Sequence, residues 1–143
     1  MRLNRLFLPM RQTVLRLGAL VVGGGLIALG LGAIAFPEVS AGNYGIPTDT
    51  PAWVAAAGAR DLSLGLVILG LHYRHPDALR GVWPAVLCVP VADVVLVLWN
   101  HSPLVSALPH AAGAIAIAFL AGLAWLSPTR RDDANADPAD HPT

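Results

Sequence analysis

Residues 17–36 read LGALVVGGGLIALGLGAIAF, a run of twenty residues without a charge. At about 1.5 Å of rise per residue, a helix of this length covers roughly 30 Å, the thickness of a bilayer's hydrocarbon core. The composition of the chain agrees, because 55% of its 143 residues are hydrophobic and only 13% are charged. A soluble domain carries about 25% charged residues, so the run predicts a membrane span.

Three more apolar stretches follow along the chain, at residues 53–73, 82–99 and 104–126. None shows the strict alternation of a transmembrane β-strand, and helices are the other structure that lipid permits. We predict an all-α fold, a four-helix transmembrane bundle at residues 17–126. A basic cytoplasmic segment at residues 1–16 precedes it, and residues 127–143 have the composition of a disordered cytoplasmic tail.

The arginines predict the orientation of the bundle. They lie before the first span, between the second and third, and after the fourth: Arg2, Arg5, Arg11, Arg16, Arg74, Arg80, Arg130 and Arg131. The two remaining connections contain no Lys or Arg, so the positive-inside rule predicts that both termini lie in the cytoplasm. We expect the plasma membrane to be the location. The four tryptophans near the predicted helix ends are expected to mark the membrane interfaces: Trp53, Trp83, Trp99 and Trp125.

The N-terminal region has a second interpretation. A basic start, an apolar run and Val39-Ser40-Ala41 together look like a secretory signal with a small-residue cleavage site. The apolar run is longer than the 7–15 residues typical of such signals, which favours a retained helix. Cleavage is kept as the alternative.

Charge and cysteine content exclude some classes of partner and cofactor for this chain. Nine Arg balance nine Asp and Glu, so the chain lacks the basic footprint of a nucleic-acid-binding protein. The lone Cys88 can form neither an intrachain disulfide nor a thiolate metal site. We expect no metal and no cofactor. The lipid bilayer is the expected partner, and a homo-oligomer is left open.

Four ionisable residues inside the predicted spans are the candidate site residues: Arg60, Asp61, Asp93 and His110. An Arg or Asp at mid-bilayer costs about 2.5–3.5 kcal/mol on insertion scales, so these side chains need partners or water. By helical rise, Arg60 and Asp93 lie roughly 10 Å, and His110 roughly 9 Å, below the outer face. We therefore predict one buried polar cluster in the outer half of the membrane.

Helical geometry also predicts how the cluster pairs. Arg60 and Asp61 are neighbours in sequence and point about 100° apart around their helix. We therefore expect Arg60 to pair with Asp93. Asp61 is then left near His110 or near backbone donors.

Glycines predict close contacts between helices. Gly58 and Gly65 share a face with Asp61, and the run at residues 23–25 lies with Gly32 in the first span. Small residues let transmembrane helices approach closely, so we expect helix contacts at both places.

The cluster is compatible with three functions. It could bind a lipophilic, quinone-like small molecule, with Arg60 anchoring an oxygen and another cluster residue moving a proton. It could instead hold the helices of a structural or accessory membrane subunit. A small transporter or proton-conducting component is the third alternative, which would need an oligomer or a further subunit. Whether the protein is an enzyme is left open.

Several short motifs resemble those of a known family. The most specific is Gly58-x-Arg60-Asp61 with Gly65, accompanied by Gly45-Ile46-Pro47, Asp93, and His110 with Gly113-Ala114. Over about residues 15–126 the chain resembles the small multipass membrane proteins catalogued as Domain of Unknown Function 4267. The resemblance implies four helices and an integral membrane location, and it implies no reaction. A looser similarity, in the four-helix plan and glycine-rich helices, connects the chain to DoxX-like membrane families.

Overall fold

The computed structural model describes residues 3–45, 51–100, 102 and 104–126, and only the backbone at residues 3–9. The α-helices of these ranges are, in chain order, α1 (Leu3–Ala35), α2 (Pro37–Tyr44), α3 (Pro51–Arg74), α4 (Leu79–Trp99) and α5 (Leu104–Trp125). A 3₁₀ turn at Pro76–Ala78 connects α3 to α4. These ranges contain no β-strand. The segment predicted to be a disordered tail, residues 127–143, lies outside them.

Four regions of the described chain are long and apolar enough to cross a membrane: Met10–Ala35, Pro51–Arg74, Pro76–Trp99 and Leu104–Trp125. The predicted all-α class and the four spans are therefore confirmed, and the chain is a multi-pass membrane protein. Helix α1 begins at Leu3, well before the predicted span at residue 17. Residues 10–16 contain no glycine or proline, so the helix continues through them.

Helices α1 and α3 run antiparallel and meet backbone to backbone at two pairs of glycines. A Cβ added at Gly30 would lie 2.5 Å from the Gly58 carbonyl oxygen, and one at Gly65 would lie 2.5 Å from the Gly23 carbonyl oxygen. Both distances are well below carbon–oxygen contact, so only glycine permits this approach. The expected close packing at Gly58 and Gly65 is confirmed.

The glycine run of α1 packs only in part. Gly23 contacts α3, but added Cβ atoms at Gly24, Gly25 and Gly32 would meet nothing within 4 Å. The helix contact expected at this run is therefore made by Gly23 and not by Gly24 or Gly25. Each residue turns the helix by about 100°, so Gly23 and Gly30, two turns apart, face α3 while the neighbouring glycines turn away.

The end of the bundle where α1 begins, α3 ends, α4 begins and α5 ends is called the arginine end here. The larger hydrophobic core lies in this half of the bundle, against the middle of α1. Its buried members are Ala19, Ile68, Leu79, Trp83, Val86, Ile117, Leu120 and Ala124. Trp83 is 1% exposed, so the expectation that it marks a membrane interface is wrong. Its large indole fills the space between helices instead. Trp53, Trp99 and Trp125 are exposed.

The bundle consists of two closely packed pairs, α1 with α3 and α4 with α5, while α3 and α4 contact each other sparsely. At the arginine end, two guanidinium groups bind the last carbonyls of α5. Arg11 Nη1 donates to the Leu126 oxygen at 2.6 Å, and Arg80 Nη2 donates to the Trp125 oxygen at 2.7 Å. Cations complement the negative end of a helix, so these contacts fasten α5 to α1 and α4.

Residues 37–52, which are rich in Gly, Pro, Asn and Thr, have the composition of a loop, but they contain the short helix α2, which packs against α1, α3 and α5. The prediction of a loop from this composition is therefore wrong for the first half of the stretch. Pro37 occupies the start of the helix, and Glu38 lies in its positively polarised first turn. Gly45 ends it with φ of 62°, a left-handed conformation that favours glycine. Helix α2 covers the opposite end of the bundle, which we call the α2 end.

Candidate functional site

Arg60 of α3 and Asp93 of α4 form a two-pronged ion pair near the α2 end. Arg60 Nη1 donates to Asp93 Oδ1 at 2.8 Å, and Arg60 Nη2 donates to Asp93 Oδ2 at 2.9 Å. The planar guanidinium matches the geometry of a carboxylate, which makes such pairs strong and directional. The predicted partner of Arg60 is thus present, and it bridges the two helix pairs where α3 and α4 otherwise touch little.

Arg60 also binds its neighbour in sequence. Its Nε donates to Asp61 Oδ1 at 3.0 Å, and its Nη2 lies 2.9 Å from the same oxygen. Although the two Cα–Cβ bonds diverge around the helix, the long arginine side chain folds back far enough to reach Asp61. All three guanidinium nitrogens therefore have a carboxylate oxygen within 3.0 Å.

The second oxygen of Asp61 accepts a hydrogen bond from the Tyr44 hydroxyl at 2.9 Å. The sequence predicts His110 or backbone donors near Asp61, and the partner that the structure shows at this oxygen is a phenol from α2. Burial, and then the neighbouring Asp61 carboxylate, raise the pKa of Tyr44 well above its usual range. The hydroxyl consequently remains a donor at neutral pH.

His110 of α5 lies on the other side of Asp93. Its Nδ1 is 3.5 Å from Asp93 Oδ2, and its ring centroid is 6.4 Å from that of Tyr44. Its Nε2 is buried and has no hydrogen-bond partner among the residues that the structure describes. The structure thus brings together the four candidate residues, with Asp93 at the centre and Tyr44 as a fifth member.

Burial differs across this polar cluster, by which we mean Tyr44, Arg60, Asp61, Asp93 and His110. The Asp61 and Asp93 side chains are 7% and 13% exposed, whereas the Arg60 side chain is 36% exposed. The carboxylates are therefore largely withdrawn from the surroundings. Arg60 and one edge of Asp93 remain accessible from the space between α3 and α4.

That space is a partly open pocket of about 330 Å³ at the α2 end. Its walls come from α3 and α4 and its cover from the end of α2: Tyr44, Gly45, Trp53, Ala56, Ala57, Arg60, Asp93, Leu96, Val97 and Asn100. Gly45 fits only as glycine, because a Cβ there would lie 2.8 Å from a Val97 methyl group. The pocket combines apolar walls with a charged pair at one side.

The chemistry of the site is that of charges and hydrogen bonds. Within the described residues, no three of His, Cys, Asp and Glu are grouped as metal ligands. The cluster offers two carboxylates and a guanidinium already bound to one another, together with a phenol and an imidazole. Such a group can hold a polar headgroup or exchange a proton, while the adjoining walls can hold hydrocarbon.

Three residues of the pocket were not identified from the sequence. Tyr44 lies in the connection between the first two predicted spans, Trp53 was interpreted only as a marker of a membrane interface, and Asn100 was assigned no role. A phenol placed a few residues before a polar span would have been the available signal for Tyr44, since a connection folded over the bundle can reach a buried carboxylate.

Comparison with known proteins identifies the family. The model of the family described as Domain of unknown function (DUF4267) matches residues 23–124, which include the whole polar cluster. No curated protein and no solved structure matches the chain. The match covers more than two thirds of the chain, and the protein belongs to the DUF4267 family.

Proposed function

We propose that this integral membrane protein binds a lipophilic small molecule in the pocket between α3 and α4. The observation that carries the proposal is the meeting of apolar walls and an accessible ion pair in one cavity of about 330 Å³. Ligand sites in proteins commonly occupy 300–1,000 Å³ and combine apolar walls with a few polar groups. The cavity lies within that range.

The charges support a functional role. Ionisable residues inside a membrane are expensive, and they commonly mark sites of binding or transport. A bundle could avoid that expense with apolar residues at these positions. Arg60 is also the most exposed of the three charged side chains, and it lines the cavity. A charged side chain that served only to hold helices together would be expected to be more fully buried.

The site is proposed to face the outside of the plasma membrane, with both termini in the cytoplasm. Four arginines of the described chain, Arg11, Arg16, Arg74 and Arg80, lie at or near the arginine end. The polar cluster belongs to the opposite end. The positive-inside rule then assigns the arginine end to the cytoplasm.

Co-purified molecules provide the test. Ala57 lines the pocket, and Ala59 is exposed two residues further along α3, on another side of the helix. Ala57→Phe should fill the cavity, and Ala59→Phe is the matched control. We expect mass spectrometry of the purified proteins to find small molecules with the wild type and the control that are absent from Ala57→Phe. Identical spectra from all three proteins would contradict the proposal.

A structural role for the cluster is the second candidate, favoured by the contact of every guanidinium nitrogen with a carboxylate. Replacing a buried ion pair by apolar residues of similar volume is often tolerated. An Arg60→Leu/Asp93→Leu double variant should therefore fold. A purely structural cluster predicts unchanged co-purified molecules with this variant, whereas a binding site predicts their loss.

A further inference from the structure

Arg60 looks like an anchor for an anionic or oxygen-bearing ligand, but its partners argue otherwise. Its Nε, Nη1 and Nη2 each already donate to a carboxylate oxygen. At least three of the five N–H bonds of the guanidinium are directed at two carboxylates that are held in place, and an incoming anion would meet those two negative charges. Arg60 is therefore a poor receptor for an anion.

The charge balance of the site points the same way. Two carboxylates outnumber the single guanidinium, so the cluster carries one net negative charge with a neutral His110 and none with a protonated one. Glu38 adds an exposed carboxylate on α2, at the same end of the bundle. The site is thus negative with a neutral imidazole and neutral with a protonated one, and in the first state it attracts a cation and repels an anion.

Aromatic rings complete the pocket. Trp53 and Tyr44 both line it, together with Asp93 and Asn100. The face of an aromatic ring attracts an organic cation, and Trp does so best. The rest of the lining is Gly45, the already paired Arg60, and four apolar residues that suit a hydrocarbon body: Ala56, Ala57, Leu96 and Val97.

We infer that the ligand of this pocket is a lipophilic cation, an organic amine or quaternary ammonium whose charged head lies against Asp93 and Trp53 and whose apolar body lies against α3 and α4. The inference rests on the proposed function and specifies its ligand. It replaces the idea that Arg60 itself holds the ligand. Arg60 fixes the orientation of Asp93, and each Asp93 oxygen, which accepts one bond from Arg60, has a further lone pair for the ammonium.

Three probes with nearly the same body and different heads test it: 4-phenylbutylamine, 4-phenylbutan-1-ol and 5-phenylpentanoate. Binding is measured calorimetrically at pH 7 to the full chain in phosphatidylcholine nanodiscs, with Ala57→Phe nanodiscs as the blank for partition into lipid. We expect the ammonium to bind about tenfold or more tightly than the alcohol, and the carboxylate to bind least.

Two variants separate the parts of the site. Asp93→Asn should remove most of the preference for the ammonium over the alcohol. Trp53→Leu alters a side chain that is 69% exposed and should not affect folding. It should weaken the binding of the ammonium probe about threefold or more, while the affinity for the alcohol probe should change little. The comparison of probes on the wild type decides the question even if Asp93→Asn does not fold.

The measurements distinguish a failure of the inference about charge from a failure of the proposed binding function. If the alcohol or the carboxylate binds as tightly as the ammonium and Ala57→Phe abolishes that binding, the proposed pocket stands and the inference about charge is overturned. If no probe gives binding that Ala57→Phe removes, the proposed function fails and the inference fails with it.

Discussion

Arg60 connects the parts of the site, because its guanidinium joins a carboxylate on its own helix to one on α4. Asp93 then contacts His110, and Asp61 contacts Tyr44. Five side chains from α2, α3, α4 and α5 are thereby linked through two carboxylates. Each member limits the rotamers of the next, so the loss of one should be felt beyond its own contacts.

The pairing of Arg60 with Asp93 could be predicted because helical rise puts both at the same depth, and lipid excludes the alternative of isolated charges. The partner of Asp61 could not be predicted. That partner is Tyr44, whose position depends on how the connection between α1 and α3 folds and not on any periodic pattern. The pocket could not be predicted either, because it lies where the two helix pairs do not pack fully against each other.

We predict that Tyr44 ionises only at strongly alkaline pH. Its pKa is raised in the folded state, so its hydrogen bond contributes stability below the unfolded value of about 10, and that contribution is lost as pH rises through the folded value. An ultraviolet titration of tyrosinate should show a late-ionising phenol that disappears in Tyr44→Phe. A Tyr44→Phe variant that instead loses the signal appearing near pH 10 would contradict this account.

At the scale of elements, α1 and α3 form the tightest contact of the bundle because glycines spaced by two turns face each other on antiparallel helices. The small-residue face of α3 could be predicted from Gly58 and Gly65. The glycine of α1 that contacts this face could not be predicted. Residues 23–25 occupy most of a helical turn, and the register between the two helices decides that Gly23 makes the contact. Helix α2 was missed although Pro37 and Gly45 are typical start and stop residues, because its eight residues lack an apolar pattern.

Alanine substitutions should separate the two kinds of glycine in α1. Gly30→Ala forces a methyl group against the Gly58 carbonyl and should destabilise the protein by about 1–3 kcal/mol. Gly32→Ala, which meets nothing within 4 Å, should be neutral or stabilise the helix by up to about 1 kcal/mol. Thermal unfolding in detergent measures both. Equal stability of the two variants would mean that α1 and α3 do not meet at this register.

The whole molecule is asymmetric in charge. Of the arginines in the described residues, four lie at or near one end, where Arg11 and Arg80 also bind the carbonyls that end α5, and Arg60 lies in the polar cluster. The other end holds the polar cluster and the pocket, under α2. The tight core near the arginine end and the cavity near the α2 end divide the bundle into a part suited to stability and a part suited to binding.

Reporter fusions test the orientation that this asymmetry implies. Green fluorescent protein fused after Thr143 should fluoresce in a bacterial host, and alkaline phosphatase at the same position should be inactive, because the arginine end is expected in the cytoplasm. Fusion of the same two reporters after Asn100, on the loop at the α2 end, should give the opposite pattern. Active phosphatase at the C-terminus would reverse the assignment and turn the pocket inward.

The central claim is that Arg60 and Asp93 bind each other across α3 and α4 inside the membrane. A double-mutant cycle of Arg60→Ala, Asp93→Ala and the double variant, measured by unfolding in mixed detergent micelles, tests it most directly. We predict a coupling energy of about 1.5 kcal/mol or more, with the double variant less destabilised than the sum of the single ones. Additive effects, within about 0.5 kcal/mol, would mean that the two residues act independently and would contradict the account.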